Sequence, residues 1–342
     1  MRVVVPQPTG LPDEYQAIRD AGHEVVFGRE YARGSADRPY SDRTPWTEER
    51  LIELCRDADV LIHGATRRAV MAAAPHLRLV VGPAIGYERQ DVEAATELGI
   101  AVANSPSVEN FTGVAETTVG LMMQLGKRYK HKEAILRRGE WGTDADRGFL
   151  LTGKTVGIIG LGRTGSGVAK RLQGWDCRLI CYDPYISPEK AALLNVEMVD
   201  NLSDLLQQSD YVTCHVVVTP ETTRMIGEEQ LRQMKPTAYL INTSRGQVID
   251  DDAFCKAVNE GWIAGAALDV FWQEPLAADS PLRNLDPIKV TLTPHNAATS
   301  PDSRVGNLRL AVQGAVEALR GDVPTNIVNP DVIPVWKRRF GR

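Results

Sequence analysis

Between Thr155 and Leu172 a β-branched run, three glycines and a helical pattern follow one another without a break. They read Thr155-Val156-Gly157-Ile158-Ile159, then Gly160-Leu161-Gly162-Arg163-Thr164-Gly165, then Val168, Ala169 and Leu172. Few folds accept that order. Gly160 permits a tight turn out of a strand, Gly162 removes the Cβ that would stand against a pyrophosphate, and Gly165 lets helix and strand approach closely. Phosphates then lie at a helix N-terminus, where free N–H groups and the helix dipole favour negative charge. A Gly-x-Gly-x-x-Gly string alone arises by chance, but here a second strand, Arg178 to Tyr182, completes the unit. Roughly 20 residues past the glycines that strand ends in Asp183, the place of the acid that takes ribose hydroxyls. A carboxylate there repels a 2′-phosphate, and no Arg or Lys stands between Asp183 and Pro188 to receive one, so NAD is expected rather than NADP.

The same alternation extends in both directions. In the first hundred residues Val3-Val4-Val5, Glu24 to Phe27, Asp59 to Ile62, Leu77 to Val81 and Ile100 to Ala103 read as strands. Helices are expected there at about Asp13 to Ala21, Thr47 to Ala58, Ala69 to Ala74 and Asp91 to Leu98. From Thr155 onward six strands alternate with helical patterns: Thr155 to Ile159, Arg178 to Tyr182, Tyr211 to Val216, Ala238 to Asn242, Gly265 to Val270 and Lys289 to Thr293. Such alternation predicts parallel sheets. The 342 residues exceed the roughly 100 to 200 of a single domain, so two cores are expected. One apolar-periodic segment, Val114 to Arg138, is long enough to bridge them. Gly28 to Pro45 has no periodicity and predicts a mobile surface loop. A helix is expected at about Asp302 to Arg320, and the tail from Val323 shows little pattern of its own.

Composition removes several function classes. A net charge of −5, with Lys and Arg scattered among acids, offers no basic field for a polyanion, so nucleic acid is not an expected partner. No stretch approaches the roughly 20 apolar residues of a membrane span. Met1-Arg2-Val3-Val4-Val5-Pro6 is too short an apolar run for a signal peptide, and a cytoplasmic location is expected. The five cysteines (Cys55, Cys177, Cys181, Cys214, Cys255) form no Cys-x-x-Cys pair and read as buried free thiols. The six histidines show no His-Glu-x-x-His or short paired spacing, so no metal site is expected.

In a doubly wound sheet the ligand crevice lies beyond the carboxyl ends of the strands. Three polar runs stand at such ends: Asn242-Thr243-Ser244-Arg245-Gly246, Asp269-Val270-Phe271-Trp272-Gln273-Glu274-Pro275 and Thr293-Pro294-His295-Asn296-Ala297-Ala298. Reducing a keto acid needs a cation for the carboxylate, a proton donor for the carbonyl oxygen and a group that tunes the donor. Arg245 can grip a carboxylate with two parallel bonds. His295 titrates near neutrality, and a hydrogen bond to Glu274 from its other nitrogen would orient the ring and favour its protonated form.

Together with Ala115-Glu116 and Tyr182-Asp183-Pro184, these runs resemble the D-isomer-specific 2-hydroxyacid dehydrogenases, among them glyoxylate/hydroxypyruvate reductases and phosphoglycerate dehydrogenases, from about Asp57 to Asn329. The resemblance implies two Rossmann-like or flavodoxin-like α/β domains with parallel sheets and the active site in the cleft between them. Residues 1–105 with 299–342 would form the substrate-binding domain, rejoined by the C-terminal helix, and residues 106–298 the NAD-binding Rossmann domain. It implies hydride transfer at C2 of a small 2-keto or 2-hydroxy acid, with Arg245, Glu274 and His295 catalytic. Asp269 would lie on the carboxamide side of the nicotinamide. Arg163, Thr164, Thr219, Thr243, His295 and Ala297 would join Gly160, Gly162, Gly165 and Asp183 at the cofactor. Ile85 and Gly86, with Arg245, would receive the substrate carboxylate, and a homodimer would be built around the cofactor domain.

The chain departs from the family pattern in four places. Gly86-Tyr87-Glu88-Arg89-Gln90-Asp91 replaces a Gly-x-Asp-Asn turn, and Ile85 stands where phosphite dehydrogenases carry Lys, which removes that activity. His63-Gly64-Ala65 stands where phosphoglycerate dehydrogenases commonly carry an Arg for the phosphate, with Arg67 and Arg68 as substitutes. Val216-Val217-Val218 replaces a Pro after Cys214-His215. The expected substrate is a compact 2-keto acid such as glyoxylate or hydroxypyruvate. The alternatives are a phosphoglycerate dehydrogenase-like enzyme and a non-enzymatic NAD-sensing protein resembling corepressors, though no long low-complexity tail speaks for the latter.

Overall fold

The structure, a computed structural model, describes residues 1–10, 12–28 and 47–341. The loop expected between Gly28 and Pro45 lies outside the described residues, apart from Gly28. The chain divides into two compact units, residues 1–110 with 299–342 and residues 111–298.

The first unit is a five-stranded parallel sheet of β1 (Arg2–Val5), β2 (Glu24–Phe27), β3 (Val60–Ile62), β4 (Leu79–Val81) and β5 (Ala101–Ala103), in the order β2-β1-β3-β4-β5. Successive side chains of a strand point to opposite faces, and a parallel sheet covered on both faces needs both sets apolar. Val3, Val5, Ile62 and Leu79 accordingly pack with Leu308, Ala311 and Ala315 of helix Pro301–Arg320. Val4, Leu61, Val80 and Val102 pack with Leu51 and Cys55 of helix Glu48–Cys55 and with Ala94 and Ala95 of helix Val92–Glu97.

The tail that lacked pattern is built into this unit. Helix Ile333–Phe340 buries Trp336, whose indole Nε1 donates to the Arg78 carbonyl at 2.7 Å. Asn329, only 5% exposed, accepts from the Val102 amide at 2.8 Å and donates to the Ile100 carbonyl at 3.0 Å. These ties are single side chains placed by non-repeating contacts, so they leave no periodicity to read.

The second unit holds seven parallel strands: β6 (Thr155–Ile159), β7 (Arg178–Tyr182), β8 (Glu197–Met198), β9 (Tyr211–Cys214), β10 (Tyr239–Asn242), β11 (Gly265–Leu268) and β12 (Val290–Leu292). Their order is β12-β11-β10-β9-β6-β7-β8. Six were expected; β8 is two residues at the sheet edge, too short to show an alternation. Ile159, Ile180, Val212 and Leu240 face one core, while Ile158, Cys181, Tyr211 and Ile241 face the other. The order reverses between β6 and β9, and a doubly wound sheet binds its ligand at that reversal.

The single long segment expected over Val114 to Arg138 is instead two helices, Val108–Gly126 and Tyr129–Arg137. Arg128 between them sits in the left-handed region at φ 56°. Apolar periodicity carried through Leu121, Met122, Leu125 and Ile135 hides a break that falls entirely in the backbone. Among the described residues no helix is long and apolar enough to cross a membrane.

Asn329→Ala should lower stability by about 2 kcal/mol or more, because it strands a buried N–H and a buried carbonyl at once. Urea denaturation would show it, and a loss below about 0.5 kcal/mol would mean water replaces the amide there.

Candidate active site

The glycine turn leaves β6 with Gly160 at φ 88°, a conformation L side chains rarely adopt. A Cβ at Gly165 would overlap the Gly160 carbonyl oxygen, so helix Arg163–Arg171 lies against the turn only because Gly165 is bare. At Gly162 a Cβ would meet nothing within 4 Å, and no side chain caps the helix that starts there. An open face beside uncapped first-turn amides fits a dinucleotide pyrophosphate. Thr164 lies in that first turn, and the Arg163 guanidinium lies 5.1 Å from the centre of the Phe111 ring.

Asp183, directly after β7, accepts from the Leu161 amide at 2.8 Å through one oxygen and from the Tyr185 amide at 2.9 Å through the other. The carboxylate therefore braces the glycine turn itself, a role its spacing did not reveal. After β9, Thr219 and Thr222 close a local turn through their amides and hydroxyls, and Val217 is exposed. The strand expected to continue through Val216 stops at Cys214.

Beyond β10 the loop bearing Arg245 is fastened by one side chain. Asn242 donates to the Arg245 carbonyl at 2.9 Å and accepts from the Ser244 amide and hydroxyl at 3.0 and 2.8 Å. The Arg245 guanidinium donates to the Ser244 carbonyl at 2.7 Å. Gly246 packs on the Phe271 backbone where a Cβ would collide, which holds the Arg245 loop beside the one that carries Glu274.

His295 Nδ1 lies 2.6 Å from Glu274 Oε2, and Glu274 Oε1 accepts from the Phe271 amide at 3.0 Å. The Glu274 hydrogen bond raises the His295 pKa above its ordinary value against the opposing effect of burial. Burial pushes Glu274 up, but the bonds from His295 and Phe271 outweigh it and hold the carboxyl below its ordinary value. Arg245 bears electrostatically on both. The arrangement can present a protonated imidazole Nε2 next to a fixed cation.

His295 itself sits at φ 49°, which costs a non-glycine residue about 1 to 2 kcal/mol. Its amide donates to the Asp269 carbonyl at 2.8 Å. The Asp269 carboxylate accepts from Thr293 Oγ1 at 2.6 Å and from the amides of Asn296 and Ala297 at 3.0 and 2.9 Å. Both oxygens are thus engaged inside the protein, whereas the family resemblance implied only a cofactor contact. Thr243 and Ala297 are buried next to Arg245 and His295.

Ile85 and Gly86 lie in the first unit, half-buried on the loop after β4, with the Ile85 carbonyl accepting from Asn104 Nδ2 at 2.7 Å. Gln90, buried on the same loop, accepts from the Thr66 amide at 2.9 Å and donates to the His63 carbonyl at 2.6 Å. The sequence marked the run containing Gln90 as a departure but gave no sign of this clamp. Among the described residues no group of three His, Cys, Asp or Glu side chains could hold a metal ion.

The family model for the D-isomer specific 2-hydroxyacid dehydrogenase, NAD binding domain, matches residues 119–297. The chain is 41% identical over 303 residues to a glyoxylate reductase of Korarchaeum cryptofilum, covering 86% of this chain and 90% of that one. It is 40% identical over 297 residues to a D-3-phosphoglycerate dehydrogenase of Methanocaldococcus jannaschii, covering 86% of this chain but only 56% of that one. Its fold is similar to that of a solved Thermus thermophilus protein, with a TM-score of 0.81 and 29% identity over 96% of this chain and 100% of that one.

The His295–Glu274 pair carries a pH signature. With the folded-state pKa of His295 raised above its unfolded value near 6.5, the protonated ring favours the fold. That contribution is complete below the unfolded pKa and is lost as pH rises through the folded one. Glu274→Gln should return the His295 pKa to its ordinary value or below in an NMR titration, and should weaken the fall of stability with rising pH. A titration matching that of the native chain would show the two groups uncoupled.

Proposed function

The chain belongs to the D-isomer specific 2-hydroxyacid dehydrogenase family, and from that premise we propose that it reduces a compact, unphosphorylated 2-keto acid with His295 as the proton donor. The carrying observation is the 2.6 Å contact of His295 Nδ1 with Glu274, which leaves Nε2 as the nitrogen able to meet substrate. The glycine turn and Asp183 would hold NADH, which when bound would supply a hydride for C2 of the acid. Arg245 holds the carboxylate in two parallel bonds and so presents one face of the carbonyl. His295 Nε2 gives its proton to the carbonyl oxygen as it becomes a hydroxyl, and Glu274 steadies the imidazolium beforehand. In the reverse direction the neutral ring accepts that proton. The first unit would supply the substrate-binding turn at Ile85 and Gly86.

Two features favour a small, unphosphorylated acid over phosphoglycerate. Arg68 is ion-paired with Glu97, and burial pushes the His63 pKa down to about 4, so His63 brings no charge to a phosphate at neutral pH. Similarity to glyoxylate reductase over 90% of that protein's length supports the same reading. Asp183 directly after β7 supports NAD over NADP.

A homodimer accompanies this proposal. Tyr129 and Leu136 of helix Tyr129–Arg137, with Trp141, Phe149 and Leu150 after it, are exposed, Trp141 to 87%. Large exposed apolar side chains this frequent within residues 129–150 support an association site there. Five unpaired thiols support a reducing, cytoplasmic location.

A panel of 2-keto acids assayed by nicotinamide absorbance with NADH and with NADPH tests the function. Glyoxylate or hydroxypyruvate should turn over with NADH, and His295→Ala should cut kcat by about 10² to 10⁴ while NADH binding persists. Tight NADH binding with no turnover of any acid would favour a sensor instead. Trp141→Asp should shift the sedimentation coefficient from dimer to monomer; an unchanged value would place the interface elsewhere.

A further inference from the structure

Ala115-Glu116-Thr117-Thr118 has no part in the chemistry above, yet these four consecutive residues of helix Val108–Gly126 touch three separate parts of the candidate site. Glu116 pairs with Arg171 at 3.0 Å, and Ala115 packs against Gly167, both partners lying on the helix that follows the glycine turn. Thr117 Oγ1 donates to the Ala297 carbonyl at 2.8 Å, two residues past His295. Thr118 Oγ1 lies 2.8 Å from the Val114 carbonyl and 2.9 Å from Thr243 Oγ1, two residues before Arg245. A hydroxyl has one proton. If Thr118 donates to Val114, it must accept from Thr243, which fixes the direction of the chain from the Arg245 loop into the helix. Thr118 is wholly buried and Thr243 nearly so, so water does not compete for these bonds.

We propose that Thr117 and Thr118 are positioning residues: Thr118 fixes the loop carrying Arg245, Thr117 fixes the loop carrying His295, and one turn of helix sets the spacing between carboxylate grip and proton donor. The proposal rests on the roles assigned to Arg245 and His295 above. Rigid helical backbone ties the two loops to each other more firmly than either loop could tie itself. Close to neighbouring Gly113, Ala298 lies where a Cβ would stand 3.4 Å from its Cα, so the helix is seated directly on the His295 loop. A misplacement of about 1 Å between reacting groups costs on the order of 10²-fold in rate.

The two hydroxyls should fail differently. Thr118→Val keeps shape but releases Thr243, and should raise the KM for the keto acid about tenfold, with the KM for NADH within about twofold of native. Thr117→Val releases Ala297, and should lower kcat about tenfold with little change in either KM. It should also move the His295 pKa toward its ordinary value, since Glu274, Asp269 and Arg245, the charged groups that bear on the ring, would no longer be held at fixed distances from it. Thr117→Ser and Thr118→Ser keep the hydroxyls and should restore each parameter.

Steady-state kinetics of the four variants, with the His295 titration followed by NMR and folded content by circular dichroism, decides the matter. A KM effect from Thr118→Val separate from a kcat effect from Thr117→Val, each rescued by Ser, supports the proposal. Equal losses that follow folded content, no rescue by Ser, or kinetic values within about twofold of native overturn it. If the native chain reduces no keto acid, the functional reading fails. The titration then still decides the Thr117 bracket: an unmoved His295 pKa in Thr117→Val refutes it.

Discussion

A single buried carboxylate organises the reactive end of the second sheet. Asp269 is 1% exposed, and a carboxylate taken from water must be met by donors within the protein. Thr293, Asn296 and Ala297 meet it, all on the loop that bears His295, while the Asp269 carbonyl takes the His295 amide. Four bonds to one residue hold His295 in the left-handed region, where an imidazole would not rest unaided. The strain is local and its support is dense, the combination expected where a side chain must be aimed rather than merely packed. Glu274 then acts on a ring whose backbone is already fixed, so the 2.6 Å contact needs no further ordering when substrate arrives.

The sheets were legible because their signals repeat. Val3-Val4-Val5 is β-branched on consecutive residues and Thr155 to Ile159 at every position but Gly157, as suits strands buried on both faces, and the glycines after Ile159 mark where β6 turns into its helix. What the sequence hid was non-repeating. The left-handed Arg128 divides a helical pattern whose apolar period runs on across the break, and β8 pairs only two residues at an edge. Helix Ile333–Phe340 is anchored by one indole and one preceding asparagine, and no window of hydrophobicity registers either.

At the candidate site the residues proposed to act on substrate could be picked out in the sequence, because Arg, Glu and His after strand ends are few and their types match the proposed reaction. The residues that hold them were not. Asn242 works through main-chain groups two and three residues ahead, Asp269 and Thr117 through main-chain groups far away in sequence and Thr118 through a distant hydroxyl, and a threonine in a helix reads as an ordinary residue until its hydroxyl is seen to leave the helix. Asp183 shows the same limit from the other side. Its spacing named a ribose ligand, while its geometry adds a brace on the Leu161 amide, so on the proposed reading one carboxylate would serve both the turn and the sugar that the turn would place.

Cofactor and substrate recognition are therefore encoded in different ways. The dinucleotide side depends on the absence of atoms at Gly160, Gly162 and Gly165, and an absent side chain can be met by one residue type only, which is why it can be read. On the proposed reading the substrate side would depend on the shape of loops after β3 and β4, joined where Gln90 bonds to the Thr66 amide and the His63 carbonyl. Those partners are main-chain groups, present whatever the sequence, and a clamp of that kind could be built from several positions with several polar residues. Loop shape would in turn decide which acid fits, so on this proposal the identity of the acid would be held by contacts in which only one partner of each pair is specified by a side chain.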